Sequence, residues 1–301
     1  MPRKKKKKLR IKWKNLIVLL CLIFLVYSAI AAIHKSIETN KEEKPFKESL
    51  KTMSKKEKLE MLENIQKEID YVNEDYIDRY LIYKEKNPNL EIIQVIKNVN
   101  MNLDQTPYEY TIPMEKIDTP ILLVNKYYYL DENYEPKNLE TLELDYALSN
   151  MRLVNYAKDA FEKLSQDASK EGLSIIAMST YRSYSYQVNL YNRYVKEDGQ
   201  ESADTYSGRP GHSEHQTGLA VDVKTKDGDF EKFEETKEYE WMQENAHKYG
   251  FILRFPKGKE KETGYQFESW HYRYVGEEIA KYIKENNITL EEYYATKIKD
   301  W

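Results

Sequence analysis

The stretch Gly211-His-Ser-Glu-His-Gln-Thr-Gly-Leu-Ala-Val-Asp-Val223 joins a polar loop to a short apolar run. Its last five residues are typical of a buried strand, and Gly218 lets the chain turn from the loop into that strand. Because side chains alternate along a strand, Ala220 and Asp222 share one face. The stretch therefore predicts a strand that carries a carboxylate beside a small residue, with His215 just before it.

His215 and Asp222 are candidate metal ligands. A buried carboxylate in a strand needs a cation or a hydrogen-bonding partner, and a metal ion could be that partner. Isolated pairs of histidine and aspartate are often structural, however. The pair alone leaves both metal binding and a structural role open.

A second segment, Glu268-Ser-Trp-His271, follows about forty-five residues later and strengthens the metal hypothesis. With His271, three side chains could supply ligands and leave the fourth tetrahedral position for water, as in catalytic zinc sites. Glu268 could accept the proton of that water, whose pKa zinc lowers toward ~7. Trp270 is favoured as a core aromatic residue, with a wall of a substrate cleft as the alternative.

A third polar segment, Ser179-Thr-Tyr-Arg-Ser183, follows an apolar run over 173–178 that predicts a buried strand. An arginine at a strand end is unremarkable at a surface. A hydrolase that acts near a free C-terminus, however, needs a fixed cation for the terminal carboxylate or the developing oxyanion. The planar guanidinium of Arg182 suits that role.

The pattern of elements predicts an α+β domain with a central antiparallel sheet and flanking helices, because strands alternate with helices and short connections join them. Strands are predicted over residues 121–124, 173–178, 219–223, 251–254 and 265–270. Helices are predicted around residues 153–164, 185–196 and 236–248, with two more at the end of the chain.

The N-terminal part predicts a membrane anchor. Residues 1–14 hold nine Lys or Arg and no acid, and residues 15–33 contain no charged residue. A helix over that run spans roughly 28 Å, close to the ~30 Å hydrocarbon core, and the basic block is expected on the cytoplasmic side. A cleavable signal peptide is the alternative, because Ala29-Ile-Ala31 is similar to a cleavage site.

Four parts of the chain are therefore expected: a basic cytoplasmic tail (1–14), a transmembrane signal anchor (15–33), a linker and small helical stalk (34–110), and the α+β domain (115–301). Without the nine cations of residues 1–33, the chain holds 38 basic and 51 acidic residues, a formal charge of −13. That charge argues against nucleic acid as a partner. The single cysteine, Cys21, lies in the apolar run, so we expect no disulfide beyond it. The sequence indicates no protein partner.

Together, the three polar segments resemble the zinc-dependent D-alanyl-D-alanine carboxypeptidases of the VanY type. The matching patterns are Ser179-x-Tyr-Arg-Ser183 with Gln187, Ser213-x-His-x-x-Gly-x-Ala-x-Asp222, and Glu268-x-Trp-His271 followed by Tyr-Arg-Tyr-Val-Gly276. The resemblance covers about residues 121–290. Ser269 stands where the family usually has proline, which removes no ligand.

The resemblance implies that His215, Asp222 and His271 bind Zn²⁺, with Glu268 as the general base. It implies that Arg182 binds substrate and stabilises the oxyanion. Four further residues are implied to contact substrate: Ser179, Gln187, Ser213 and Trp270. The implied fold, shared with the hedgehog signalling domain, is again a central antiparallel sheet with flanking helices.

The resemblance also implies a function. We expect a membrane-anchored, single-pass zinc D,D-carboxypeptidase on the outer face of a bacterial cell membrane, which hydrolyses the terminal D-Ala-D-Ala bond of peptidoglycan stem peptides. Two alternatives stay open. One is an L,D-carboxypeptidase that acts on tetrapeptide stems, and the other is a non-catalytic, zinc-stabilised module that binds the cell wall.

Overall fold

The computed structural model of the chain describes three ranges, residues 52–61, 69–115 and 119–298. These described residues belong to two units: residues 52–61 and 77–89 lie in the first, and residues 69–76, 90–115 and 119–298 lie in the second. The described residues of the first unit contain helices α1, Lys55–Met61, and α2, Ile77–Lys86.

The second unit carries eight strands among its described residues. In chain order they are β1 (Ile112–Pro113), β2 (Tyr128–Tyr129), β3 (Leu139–Thr141), β4 (Arg152–Val154), β5 (Ile176–Ser179), β6 (Ala220–Lys224), β7 (Phe251–Leu253) and β8 (His271–Tyr274). β5 to β8 form one sheet in the order β5-β6-β8-β7, and every neighbouring pair is antiparallel. The remaining strands form two separate pairs, β1 with β2 and β3 with β4.

The described residues of the second unit also form eight helices. In chain order they are α3 (Ile92–Asn100), α4 (Asn155–Lys170), α5 (Tyr184–Asp198), α6 (Gln200–Tyr206), α7 (Lys237–Asn245), α8 (Glu260–Thr263), α9 (Glu277–Asn286) and α10 (Leu290–Lys297). Short 3-10 helices occupy Glu74–Tyr76, Glu214–Thr217, Phe230–Glu235 and Ala246–Tyr249. The second unit is therefore a mixed helix and sheet fold, as the sequence predicts.

Alternation along β6 separates the core from the site. Val221 and Val223 belong to the main apolar cluster, where they join Phe161 and Leu164 of α4. Asp222 lies between the two valines in sequence, so its side chain projects from the opposite face of the sheet. The apolar core packs against one face of β6, so polar side chains lie on the other face.

Two predicted strands are wrong. Residues 265–270 form a loop and the strand begins only at His271. In that loop the backbone N–H of Glu268 donates to the carbonyl of Phe255 at 3.1 Å, outside any strand ladder. Residues 121–124 are likewise irregular although Leu122 and Leu123 are buried. An apolar run is buried in either conformation, so its composition alone does not identify a strand.

The membrane anchor predicted over residues 15–33 lies outside the described residues, as does the basic tail over 1–14. Across the part of the chain that is described, no helix combines the length and the apolar composition that a bilayer span requires. This finding corrects the predicted localisation as a single-pass membrane protein, because the described helices supply no spanning segment.

Replacing Phe161 with alanine tests the core of the second unit. The side chain is fully buried, so the substitution should lower the free energy of unfolding by about 3–5 kcal/mol. Leu144→Ala is the matched control, since Leu144 is 74% exposed and its loss should change that free energy by less than about 0.5 kcal/mol. Chemical denaturation of the full-length chain measures both, and equal effects would contradict the assigned core.

Candidate metal centre and substrate cleft

The register of the sheet brings three polar side chains into one row. Asp222 of β6 pairs with Ser179 of β5 on one side and with His271 of β8 on the other. Residues directly opposite each other on neighbouring strands project from the same face, with their Cβ atoms about 4.5–5.5 Å apart. The sheet alone therefore places a histidine beside a carboxylate.

A tight turn adds a second histidine. His215 lies in the 3-10 helix Glu214–Thr217, which ends at Gly218 with φ 68°. A Cβ atom at Gly218 would lie 2.9 Å from Leu139 Cδ2 and 3.1 Å from Val154 Cγ2. Both the left-handed backbone and this close approach require glycine. The turn then holds His215 over the start of β6.

Hydrogen bonds orient the ring of His215. Its Nδ1 lies 2.7 Å from the carbonyl oxygen of Thr180, and its Nε2 lies 3.2 Å from Asp222 Oδ2. Since a neutral imidazole has one N–H, donation from Nδ1 to the carbonyl leaves the lone pair at Nε2. The electron pair that a metal needs therefore faces Asp222.

His271 approaches the same carboxylate from the other side. Its Nδ1 lies 2.8 Å from Asp222 Oδ1, while its Nε2 lies 3.5 Å from Glu214 Oε2. The ring stacks on Phe255, with 4.9 Å between ring centroids and 28° between planes. Stacking and the contacts at both nitrogens restrict the imidazole to one orientation.

The three side chains fit a divalent cation. One ligand atom from each of His215, Asp222 and His271 lies within 4.8 Å of the others, and all three residues are buried. A tetrahedral ion with ligands at about 2.0–2.2 Å places its donors roughly 3.3–3.6 Å apart, so small shifts complete the geometry. The set of two imidazoles and one carboxylate leaves a fourth position for water or substrate.

Electrostatics favour the metal-binding forms of two of these ligands. Burial opposes ionisation of Asp222, but His215, His271 and Arg182 outweigh it and hold its pKa well below the usual range. Burial lowers the pKa of His215. Burial also acts to lower the pKa of His271, yet its contacts with Asp222 and Glu214 raise it to about 9. Metal binding at His271 therefore displaces a proton.

Glu268 lies beside this group. Its carboxylate Oε2 is 3.9 Å from His271 Nδ1, and its side chain is 9% exposed. Burial raises the pKa of Glu268 to about 8. Because a nearby cation would favour the ionised form, this carboxylate is placed where it can gain and lose a proton near neutral pH.

Arg182 contacts the carboxylate oxygen of Asp222 that His271 Nδ1 does not contact. Its Nη2 donates to Asp222 Oδ2 at 2.8 Å and to Ser179 Oγ at 2.7 Å, and its Nε also donates to Ser179 Oγ at 3.0 Å. The backbone N–H of Arg182 donates to the carbonyl of His215 at 3.1 Å. Arg182 is thus fixed by the same residues that form the candidate metal centre.

A cleft of about 500 Å³ opens over this centre, and all nine predicted site residues line it. Gln187 is buried and donates through Nε2 to the carbonyl of Gly208 at 2.8 Å. Trp270 is only partly buried and meets Phe230 edge to face, with centroids 5.1 Å apart. Trp270 therefore contributes to the wall of the cleft as well as packing against the core cluster.

Three buried charged residues beside His271 are not among those predicted from the sequence, namely Glu214, Arg254 and Arg273. Two of them interrupt apolar segments, Phe251-Ile-Leu-Arg254 and Tyr272-Arg-Tyr-Val275. A charged side chain within an apolar strand needs a buried partner. An arginine next to or within an apolar segment therefore predicts a buried ion pair, and this pattern could have identified Arg254 and Arg273 from the sequence.

Comparisons with known proteins show which family the chain resembles. Residues 150–277 match the family model described as "VanY: D-alanyl-D-alanine carboxypeptidase". The putative carboxypeptidase YodJ of Bacillus subtilis is 41% identical over 191 residues, which cover 60% of this chain and 70% of the relative. A D-alanyl-D-alanine carboxypeptidase of Enterococcus faecium is 34% identical over 238 residues, or 74% of each chain.

Solved structures show the same similarity. The LdcB LD-carboxypeptidase has a TM-score of 0.57 at 38% identity, covering 62% of this chain and 90% of that chain. VanYB in complex with D-alanine-D-alanine has a TM-score of 0.52 at 34% identity, covering 59% and 98%. A glutamate-to-alanine mutant of VanY from a VanB-type resistance cassette, in complex with Zn(II), has a TM-score of 0.51 at 34% identity, covering 58% and 98%.

Replacing His215 with alanine tests the candidate metal centre. The variant should bind a divalent cation more than ~100-fold more weakly. Loss of an outer hydrogen-bond partner costs ~10–100-fold in metal affinity, and this substitution removes a direct ligand. His247→Ala is the control, since His247 lies in the 3-10 helix Ala246–Tyr249 and outside the cleft lining. Metal analysis of the purified full-length chains measures the bound ion. Undiminished binding by His215→Ala would contradict the site.

Proposed function

Since the chain belongs to the VanY family of D-alanyl-D-alanine carboxypeptidases, we propose that it is a zinc-dependent D,D-carboxypeptidase that removes the terminal D-alanine from peptidoglycan stem peptides. Peptidoglycan stem peptides are its proposed partners. The Zn(II) complex of the VanY mutant and the D-alanine-D-alanine complex of VanYB support this cofactor and this substrate class.

One observation carries the proposal. Three buried donors converge at one point, where Glu268 lies close to His271 and Arg182 contacts Asp222. A structural metal site has four protein ligands, whereas a catalytic site has three and an accessible position beside a proton acceptor. The arrangement at the base of an open cleft is that of a catalytic site.

His215, Asp222 and His271 are the proposed zinc ligands, and zinc held there would polarise the scissile carbonyl and lower the pKa of a water. Glu268 accepts the proton of the attacking water. The same carboxyl then gives the proton to the nitrogen of the leaving D-alanine. Its burial and its 3.9 Å distance from His271 Nδ1 support this role.

Arg182 is the proposed cation for the substrate carboxylate and the oxyanion. Its bonds to Ser179 and Asp222 use Nε and Nη2. A guanidinium has five N–H donors in one plane, so Nη1 keeps donors for a substrate carboxylate. Substrate contacts are also proposed for the other cleft residues: Ser179, Gln187, Ser213 and Trp270.

Glu268→Gln tests this mechanism. Without the carboxylate no group accepts the proton of water, so kcat for release of D-alanine from a stem pentapeptide should fall at least ~100-fold. Zinc content should stay at about one ion per chain, because no proposed ligand is changed. The measurements are D-alanine release and metal analysis on the full-length chain.

Glu278→Gln is the matched control, since Glu278 is exposed on α9 and should leave turnover unchanged. Full activity of Glu268→Gln would refute the assigned base. Binding of the pentapeptide to wild-type, zinc-loaded protein without any hydrolysis would instead support a cell-wall binding module.

L,D-carboxypeptidase activity is the second candidate, because the structure of the LdcB LD-carboxypeptidase resembles this chain with a TM-score of 0.57. The two activities use the same chemistry and differ in the residue that precedes the scissile bond. On stems of matched sequence, we expect kcat/KM to be at least ~10-fold higher for the pentapeptide than for the tetrapeptide, because one poorly fitted group costs ~1–3 kcal/mol. The reverse preference, measured by product analysis, would favour the second candidate.

A further inference from the structure

A buried network of charges lies next to the candidate metal centre. Glu214 is 3% exposed, and the side chains of Arg254 and Arg273 are fully buried. Arg254 Nε donates to Glu214 Oε1 at 2.8 Å, and Arg273 Nη1 donates to the same oxygen at 2.7 Å. Both arginines therefore donate to the same oxygen of the Glu214 carboxylate.

Other contacts hold the two arginines in place. Arg254 donates through Nη1 and Nη2 to the two oxygens of Glu291 on α10, at 2.9 and 2.5 Å. Arg273 Nη2 donates to the carbonyl of Leu122 at 2.6 Å. The guanidinium groups are thus anchored to parts of the fold outside the cleft, and they fix Glu214 in turn.

The second oxygen of Glu214 faces His271. Glu214 Oε2 and His271 Nε2 lie 3.5 Å apart, and both atoms are buried with no hydrogen-bond partner among the described residues. Two buried polar atoms of complementary type seldom stay unpaired. A shift of a few tenths of an ångström would join them in a hydrogen bond.

The chemistry of imidazole determines which of these two atoms is the donor and which is the acceptor. His271 Nδ1 faces Asp222 and Glu268, so Nδ1 is the atom that can give a lone pair to a cation. A neutral imidazole then carries its proton at Nε2, which requires an acceptor there. Glu214 Oε2, 3.5 Å from Nε2, is the carboxylate oxygen placed to become that acceptor.

We propose that Glu214 is a positioning residue, which holds His271 in the tautomer that ligates through Nδ1. The inference rests on the proposed function, because it requires His271 to be a metal ligand. Glu214 lines the cleft as well, and in this role it acts through His271. Arg254 and Arg273 orient Glu214 by occupying its other oxygen.

The orientation of the carboxylate determines what a glutamine would do. In Glu214→Gln the amide oxygen must accept from the two arginines, because the amide NH₂ cannot face N–H donors. The NH₂ group then points at His271 Nε2 and donates to it. This contact moves the imidazole proton to Nδ1 and so opposes ligation through that atom.

Zinc affinity is the first test, measured by chelator competition on the full-length chain. Glu214→Gln should weaken zinc binding by about 10–100-fold, as the loss of an outer hydrogen-bond partner does. Glu291→Gln is the matched control, because it also neutralises a carboxylate paired with Arg254 but does not contact His271. We expect its zinc affinity to stay within about threefold of wild type.

The controls separate a positioning role from a structural one. Glu214→Asp keeps the charge and the acceptor, and it should recover at least part of the lost zinc affinity. Equal losses of zinc affinity in Glu214→Gln and Glu291→Gln would overturn the inference, as would wild-type affinity in Glu214→Gln. A wild-type chain that binds no zinc would instead refute the proposed function.

Wild-type protein provides a test that no folding defect can obscure. Long-range ¹H–¹⁵N spectra of the zinc-loaded, full-length chain report which ring nitrogen of His271 is protonated. A slowly exchanging proton at Nε2 is expected. Zinc at Nε2, or a proton there that exchanges freely with solvent, would overturn the inference.

Discussion

The pairing of Asp222 with His271 across β6 and β8 is the constraint on which the site depends. Side chains alternate along a strand, so a slip of one residue would turn Asp222 into the core and expose a valine to the cleft. Val221 and Val223 prevent that slip because both are fully buried in the main cluster. The apolar core thereby determines the position of the polar site.

The two candidate histidine ligands are positioned by hydrogen-bond acceptors at their other ring nitrogens, as well as by the sheet. Thr180 accepts from the far nitrogen of His215, and Glu214 is positioned to do so for His271. Each acceptor is fixed by structure that does not touch the cleft. Outer partners of this kind select the tautomer and orientation of a histidine before metal binds, which reduces the cost of ordering the site.

The sequence predicts those parts of the site that follow from local chemistry. The alternation around Asp222 predicts its strand and its face, and three short motifs predict the residues of the cleft. The sequence did not predict the start of β8, because Tyr265 to Trp270 carry strand-forming residues that the structure uses in a loop. Nor could it pair Glu214 with Arg254 and Arg273, since contacts across 40 and 59 residues depend on tertiary packing.

The most direct test of the account is the position of the metal itself. Anomalous diffraction at the zinc edge, from crystals of the full-length chain, locates a bound ion without reference to activity. We predict one peak at about 2.0–2.2 Å from His215 Nε2, a carboxylate oxygen of Asp222 and His271 Nδ1. A peak elsewhere, or none in protein that releases D-alanine, would contradict the assignment of this centre.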